Sequence, residues 1–254
     1  MLKHKASHSE IRAVLAWGVY NPIIGHEGVG TVIQTGPNVS TSLLHQRVGV
    51  KWLYSACTAC SACKRGFSHY CAQQKNTSRH VPGTLQQYVI ADVRFITRIP
   101  EAVTDEVAAP LLCAGLTMAG AVGRLDDYRL SSGDSVVISG SGGGLGHLGV
   151  QIAARMKGFR VIAVDTGEVK RKVSLDSGAE VFIDYRTEDV AARVREVTGG
   201  EGAHATIVVP GTREAFAMAP HVVRNMGLIV GVGLPPNEME WPVSATLSAA
   251  RGEL

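Results

Sequence analysis

The sequence predicts a two-part α/β protein, with a β-rich first half over 1–125 and a doubly wound parallel sheet wrapped by helices over 126–254. Three observations predict it. Short extended runs broken by glycine and proline fill the first half. Strand-like and helical patterns alternate through the second. A glycine-rich loop joins the first strand of that second half to its first helix.

In chain order, Gly28–Gln34, Gln46–Leu53, Gln87–Ala91 and Arg94–Arg98 have the composition of strands, and Gly36-Pro37-Asn38 marks a turn. This is the texture of a small β-barrel or sandwich. Val107–Gly123 is the longest apolar stretch. It holds Pro110, three glycines and Thr117, and falls short of the roughly 20 residues a bilayer span needs, so buried helix and turn is expected rather than a membrane segment. Beyond it, strands are expected at Ser135–Ser139, Arg160–Val164, Val181–Ile183, Ala205–Val209 and Leu228–Val232. Helices are expected at Leu145–Lys157, Val169–Ser177, Glu188–Val197 and Glu214–Asn225. Strict alternation at this spacing gives parallel strands with helical crossovers.

With 45% hydrophobic and 19% charged residues, the chain can bury a sizeable core. A net charge of +3 is too small and dispersed for a nucleic-acid or acidic-membrane partner. Lys3, His4 and Lys5 are not followed by an apolar run, so no signal peptide is expected. Clustered thiols without a dispersed framework of pairs point to a reducing compartment, with the cytosol as the expectation.

Those thiols are Cys57, Cys60, Cys63 and Cys71, four of the chain's five cysteines within fifteen residues. Two-residue gaps let thiolates converge on one side of a tight loop, and the longer return closes a tetrahedron. Four sulfurs with no open position are how a structural zinc is held. Ordinary core cysteines or a disulfide pair are the alternative, and such clustering makes either a poor account.

The glycine loop is Gly140-Ser-Gly-Gly-Gly-Leu-Gly146, between a strand and an amphipathic helix. Glycines there allow backbone to approach a pyrophosphate, and the helix start offers unsatisfied N–H groups. Asp165 ends the next strand, nineteen residues after Gly146. A carboxylate at that point accepts from ribose hydroxyls and repels a 2′-phosphate, which favours NAD over NADP. A helix-capping role in Asp-Thr-Gly is the competing reading. Lys170 lies either near the ribose or in solvent.

Gly25-His26-Glu27-Gly28 sets an imidazole and a carboxylate among glycines before a strand. Cys113 sits in the apolar Leu111-Leu-Cys-Ala-Gly115, where a small core residue is the plain alternative. Together with the four-cysteine lobe, Gly83-Thr-Leu-Gln-Gln-Tyr88, Gly143-Gly-Leu-Gly146 and Val181-Phe-Ile-Asp-Tyr185, these residues resemble the zinc-dependent alcohol dehydrogenases of the medium-chain dehydrogenase/reductase superfamily, most of all its yeast and fungal branch. The resemblance runs along nearly the whole chain. It implies a GroES-like substrate domain packed on a Rossmann domain, with the active site between them. It further implies a catalytic zinc on His26 and Cys113, with Glu27 able to move onto the metal. That zinc would lower the pKa of a bound alcohol, whose alkoxide passes hydride to NAD. Gly143, Gly144, Leu145, Gly146, Asp165 and Lys170 would contact NAD. The implied partner is a small alcohol or aldehyde, and a homo-oligomer stays open.

The chain also departs from the family. Its first catalytic ligand lies in a Cys-His-(Ser/Thr)-Asp segment; here the run is Ser7-His8-Ser9-Glu10. Ser7 replaces a thiolate with a neutral hydroxyl, a far poorer zinc ligand. Ser9 stands where the family has its proton-relaying hydroxyl, and His8 where a residue approaches the cofactor phosphate. Arg12 occupies the usual relay-histidine position and cannot give up its proton at ordinary pH. The family's first strands and its returning C-terminal segment have no counterpart, so a chain truncated at both ends is expected. These departures motivate a second reading, a non-catalytic or degenerate relative that keeps the structural zinc, with or without NAD binding. A third, a zinc-independent quinone or enoyl reductase, fits poorly because such relatives typically lack the four-cysteine lobe.

Overall fold

The computed structural model describes residues 22–235. The chain divides into two compact units between Cys113 and Ala114.

In the first unit, β1 (Gly28–Thr31) pairs antiparallel with β2 (Arg47–Val50), which pairs antiparallel with β5 (Thr97–Arg98). A second small sheet joins β3 (Leu53–Ser55) to β4 (Lys75–Asn76). The strand expected over Gln46–Leu53 is therefore two strands. Thr77 separates them: its hydroxyl donates to the Lys51 carbonyl at 2.6 Å and its N–H to the Trp52 carbonyl at 2.9 Å. Gln87–Ala91 forms no strand, because no described strand lies beside it, and Ile90 is 86% exposed. Arg94–Arg98 keeps only its last two residues. Asp92 turns the chain first, its carboxylate accepting from the Arg94 N–H and its carbonyl from the Phe95 N–H. The turn at Gly36–Val39 is present, closed by a Val39-to-Gly36 hydrogen bond of 3.1 Å.

Helix formation at Asp105 is fixed by Arg47, whose guanidinium reaches both the Asp105 carboxylate and the Val103 carbonyl. The chain stays helical from Asp105 to Asp127, without the expected turn. Pro110 ends the regular α-helix at Asp105–Pro110, and Leu111–Gly115 continues as a π-helix. At 23 residues and a mean hydropathy of 1.5, this run is long and apolar enough to cross a membrane by length and composition alone. Val107, Leu111 and Leu116 of this run are exposed, and other apolar positions are built into cores. Ala108, Ala109 and Leu112 pack with Val29 in the first unit. Met118, Val122 and Leu125 are fully buried in the second. Burying each of those three contributes about 2 kcal/mol. That burial joins Leu116–Asp127 to the second unit, whereas the division expected at 125/126 placed it with the first.

The second unit is a five-stranded parallel sheet in the order β10-β9-β6-β7-β8, with β6 at Ser135–Ser139, β7 at Arg160–Asp165, β8 at Val181–Asp184, β9 at Ala203–Val208 and β10 at Val223–Gly231. Val136, Val137 and Ile138 are buried on both faces, which is why the strand is a continuous apolar run rather than an alternating one. Strand order reverses at β6, flanked by β7 on one side and β9 on the other. Such a switch opens a crevice at the carboxyl ends of the strands, where dinucleotides bind in sheets of this type.

One local conflict stands out in the first unit. Ser78 has φ +70° and is buried, and its hydroxyl oxygen is among the buried side-chain atoms without a hydrogen-bond partner. Ser78→Gly removes both the left-handed strain and the buried hydroxyl. It is expected to raise stability by about 1 kcal/mol, read as a shift of the urea midpoint at unchanged slope.

Candidate functional site

The cysteine lobe is built on a single short helix. Cys57 precedes it, Cys60 is the residue before Ser61–Lys64, Cys63 lies within it, and Cys71 ends the 3-10 turn Ser68–Tyr70. The Cys60 N–H donates to the Cys57 sulfur at 3.3 Å, and Gly66, at φ +83°, turns the chain back after the Gly66 N–H bonds the Cys63 carbonyl. All four sulfurs lie within 4.8 Å of one another, with Cys57 and Cys63 at 3.9 Å. A tetrahedron of zinc–sulfur bonds of about 2.3 Å has edges of about 3.8 Å, so the group fits zinc. The backbone N–H groups of Ala59 and Cys60 bring the Cys57 thiol down to about 6, while burial pushes Cys63 up to about 11. A bound dication holds all four as thiolates. Four sulfur donors with no position left open are the donor set of a structural rather than a catalytic zinc.

At the switch point the glycine loop is folded as tightly as its composition allows. A Cβ on Gly146 would stand 2.0 Å from the Gly140 carbonyl oxygen, and one on Gly142 would meet the Lys170 Cβ at 2.5 Å. Gly140, at φ +68°, abuts Pro210 beyond β9. Gly144 faces open space. Leu145 precedes the helix Gly146–Gln151 and packs against the core. The helix expected over Leu145–Lys157 continues past Gln151 as a π-helix, Ile152–Met156.

Asp165 is 3% exposed and held by three donors: the Gly142 N–H at 3.0 Å, the Thr166 N–H at 2.9 Å and the Lys170 ammonium at 2.9 Å. It does not cap the following helix, whose first flanking residue is Gly167. Lys170 is accordingly an ion-pair partner of Asp165, with its side chain still 48% exposed to solvent. A carboxylate fixed beside the glycine loop fits a ribose diol and opposes a further phosphate there. The bond from Gly142 to Asp165 ties loop and carboxylate into one unit. The sequence marked the ends of that tie but not the tie itself, because it spans 23 residues.

His26 and Glu27 lead into β1. Their segment is pinned to Gly83–Leu85 by three hydrogen bonds: Gly83 N–H to Ile23 at 2.7 Å, Thr84 N–H to Gly25 at 2.8 Å and Leu85 N–H to Ile24 at 3.0 Å. A Cβ on Gly83 would meet the Ile24 carbonyl at 2.3 Å, which explains the glycine. The His26 ring packs edge-on against Trp52, with centroids 5.2 Å apart. Cys113 follows Leu112, which covers Gly49 of β2, the register partner of Val29. The helical segment of Cys113 therefore packs on the same small sheet that His26 and Glu27 lead into. His26, Glu27 and Cys113 are not gathered into a metal-ligand cluster; among the described residues the four-cysteine group is the one such cluster. Ser7, His8, Ser9 and Arg12 lie outside the described residues.

A parallel sheet with a glycine loop at its switch point, preceded by a β-rich unit with a four-thiol lobe, defines a zinc-binding dinucleotide-fold protein. Residues 6–101 match the alcohol dehydrogenase GroES-like domain and residues 144–251 the zinc-binding dehydrogenase domain. The alcohol dehydrogenase of Rhizobium meliloti is 38% identical over 255 residues, covering 97% of this chain and 73% of its own length. Alcohol dehydrogenase 2 of Emericella nidulans is 42% identical over 231 residues, covering 87% and 62%. The crystal structure of the alcohol dehydrogenase from Aeropyrum pernix superimposes with a TM-score of 0.84 at 26% identity, over 96% of this chain and 72% of that one. The chain belongs to the zinc-dependent alcohol dehydrogenase family of medium-chain dehydrogenases/reductases. It spans 62% and 60% of the length of the two fungal relatives from Emericella nidulans and Schizosaccharomyces pombe.

Proposed function

We propose that this chain serves an NAD-dependent oxidoreductase that interconverts a small alcohol and its aldehyde or ketone. The observation that carries the cofactor is Asp165, buried at the end of β7 and bonded to the glycine loop by Gly142. The names of the relatives from Emericella nidulans and Rhizobium meliloti, both alcohol dehydrogenases, support the substrate class. Bound NAD would supply the hydride acceptor. The chain's own part is to fix the adenosine ribose through Asp165 and Lys170, and to let the pyrophosphate approach Gly143 and Gly144. The cytosol is the compartment we propose, because a cluster such as Cys57, Cys60, Cys63 and Cys71 keeps its thiols for a metal where the surroundings are reducing. Among the described residues β10 stands at one edge of the sheet, and pairing there with a second copy would make a homo-oligomer.

By the family's pattern His26 and Cys113, with Glu27, would serve a second zinc. These residues are not clustered among the described residues, so no chemical step is assigned to that metal. Ser7 is the weak member of the inferred set. Ser7→Cys is expected to raise bound zinc from one toward two equivalents per chain and to increase NAD-dependent alcohol oxidation at least tenfold. Elemental analysis and absorbance at 340 nm read the two effects. No gain in either would contradict the ligand assignment.

A further inference from the structure

We infer that His147 is a positioning residue for the dinucleotide pyrophosphate, a role that rests on the NAD reading above. Its ring Nδ1 lies 2.9 Å from the Gly143 carbonyl oxygen, and its own backbone N–H reaches the same oxygen at 3.1 Å. A carbonyl oxygen can only accept, so Nδ1 carries the proton.

The consequence runs through the peptide plane. In a trans peptide the C=O of one residue and the N–H of the next point in opposite directions. Drawing the Gly143 carbonyl onto the helix therefore turns the Gly144 N–H outward, away from the helix. Gly144 is exposed, and a Cβ there would meet nothing within 4 Å. The loop's internal bonds use the N–H groups of Gly142, to Asp165, and Gly143, to Gly140 at 3.1 Å; that of Gly144 takes no part in them. The outward N–H is thus available to a phosphate oxygen at the place where the switch-point crevice opens.

A side-chain bond is useful there because the peptide lies between two glycines. Gly143 and Gly144 both cross φ/ψ space at little cost, so the plane can flip and turn its carbonyl toward the anion. One backbone hydrogen bond opposes the flip; the imidazole adds a second.

The test is a fluorescence titration of the full chain with NADH. His147→Phe keeps a ring of similar shape and removes the donor; its dissociation constant is expected to rise roughly five- to tenfold, the effect of one lost hydrogen bond. In His147→Asn the amide nitrogen stands near the place of Nδ1, and most of the affinity should return. Melting temperatures of the two variants should be alike, which separates positioning from general packing. His147→Leu repeats the comparison if the phenylalanine variant folds poorly. Nitrogen chemical shifts of the ring should show a protonated Nδ1. Equal NADH affinity in wild type and His147→Phe, or no recovery with asparagine, overturns the role of His147 while leaving the NAD reading intact. Failure of the unsubstituted chain to bind NADH overturns both.

Discussion

Replacing Gly146 with alanine is expected to abolish measurable NADH binding and to destabilise the second unit by about 3 kcal/mol. The added methyl would lie 2.0 Å from the Gly140 carbonyl oxygen, 2.7 Å from its carbon and 2.8 Å from the Ser141 Cα. All three are backbone atoms, so no side chain can swing aside to make room. The loop must open, and the Gly140 N–H bond to Val164 and the Gly142 bond to Asp165 are the contacts that opening would break. Overpacking of this kind costs about 1–3 kcal/mol even where side chains yield, and here the backbone itself must move. Gly144→Ala is the contrast, since its methyl meets nothing within 4 Å. Thermal melts should separate the two variants clearly. Equal stability would mean that the close approach of Gly146 to Gly140 is not what requires glycine.

Cys71→Ser carries the second large effect. Cys71 is the most buried of the four thiols, 2% exposed, and its loss leaves three sulfurs around a site that closes only with four. Structural zinc supplies folding free energy directly, on the order of 10 kcal/mol in isolated zinc peptides. Within a larger unit part of the lobe's order has other sources, such as the Gln74 N–H bond to the Cys71 carbonyl. A loss of about 3–5 kcal/mol is therefore expected, together with one equivalent of zinc. Elemental analysis and urea unfolding read both quantities, and treating the unsubstituted protein with a strong chelator should reproduce the loss. Full zinc retention by Cys71→Ser would contradict the four-sulfur centre.

The parts of this fold that were legible in the sequence are those whose cause is local. Ser135–Ser139 is buried on both faces, so its apolar run marks the strand end to end. The cysteine spacing encodes a loop that brings four sulfurs together, and the side chains indeed converge. What sequence reading missed depends on distant partners. Thr77 splits one expected strand at Lys51 and Trp52 from 26 residues away. Gln87–Ala91 has strand composition but no described neighbour to pair with. Pro110 signalled a break, yet a π-helix carries the chain onward because Ala108, Ala109 and Leu112 on one side and Met118 and Val122 on the other are all buried. His147 directly follows the glycine-rich run, and only its approach to the Gly143 carbonyl gives it a role. The i to i−4 spacing was the available signal, since a side chain there lies one helical turn beyond the Gly143 carbonyl.

The central claim is that the second unit binds NAD and discriminates against its 2′-phosphorylated form through Asp165. Calorimetric titration of the purified chain with NADH and with NADPH tests it most directly. The account predicts one NADH per chain and an affinity for NADPH at least tenfold lower, because a phosphate beside the buried Asp165 meets a carboxylate whose charge Lys170 only partly offsets. Equal affinity for the two, or no binding of either, would contradict it.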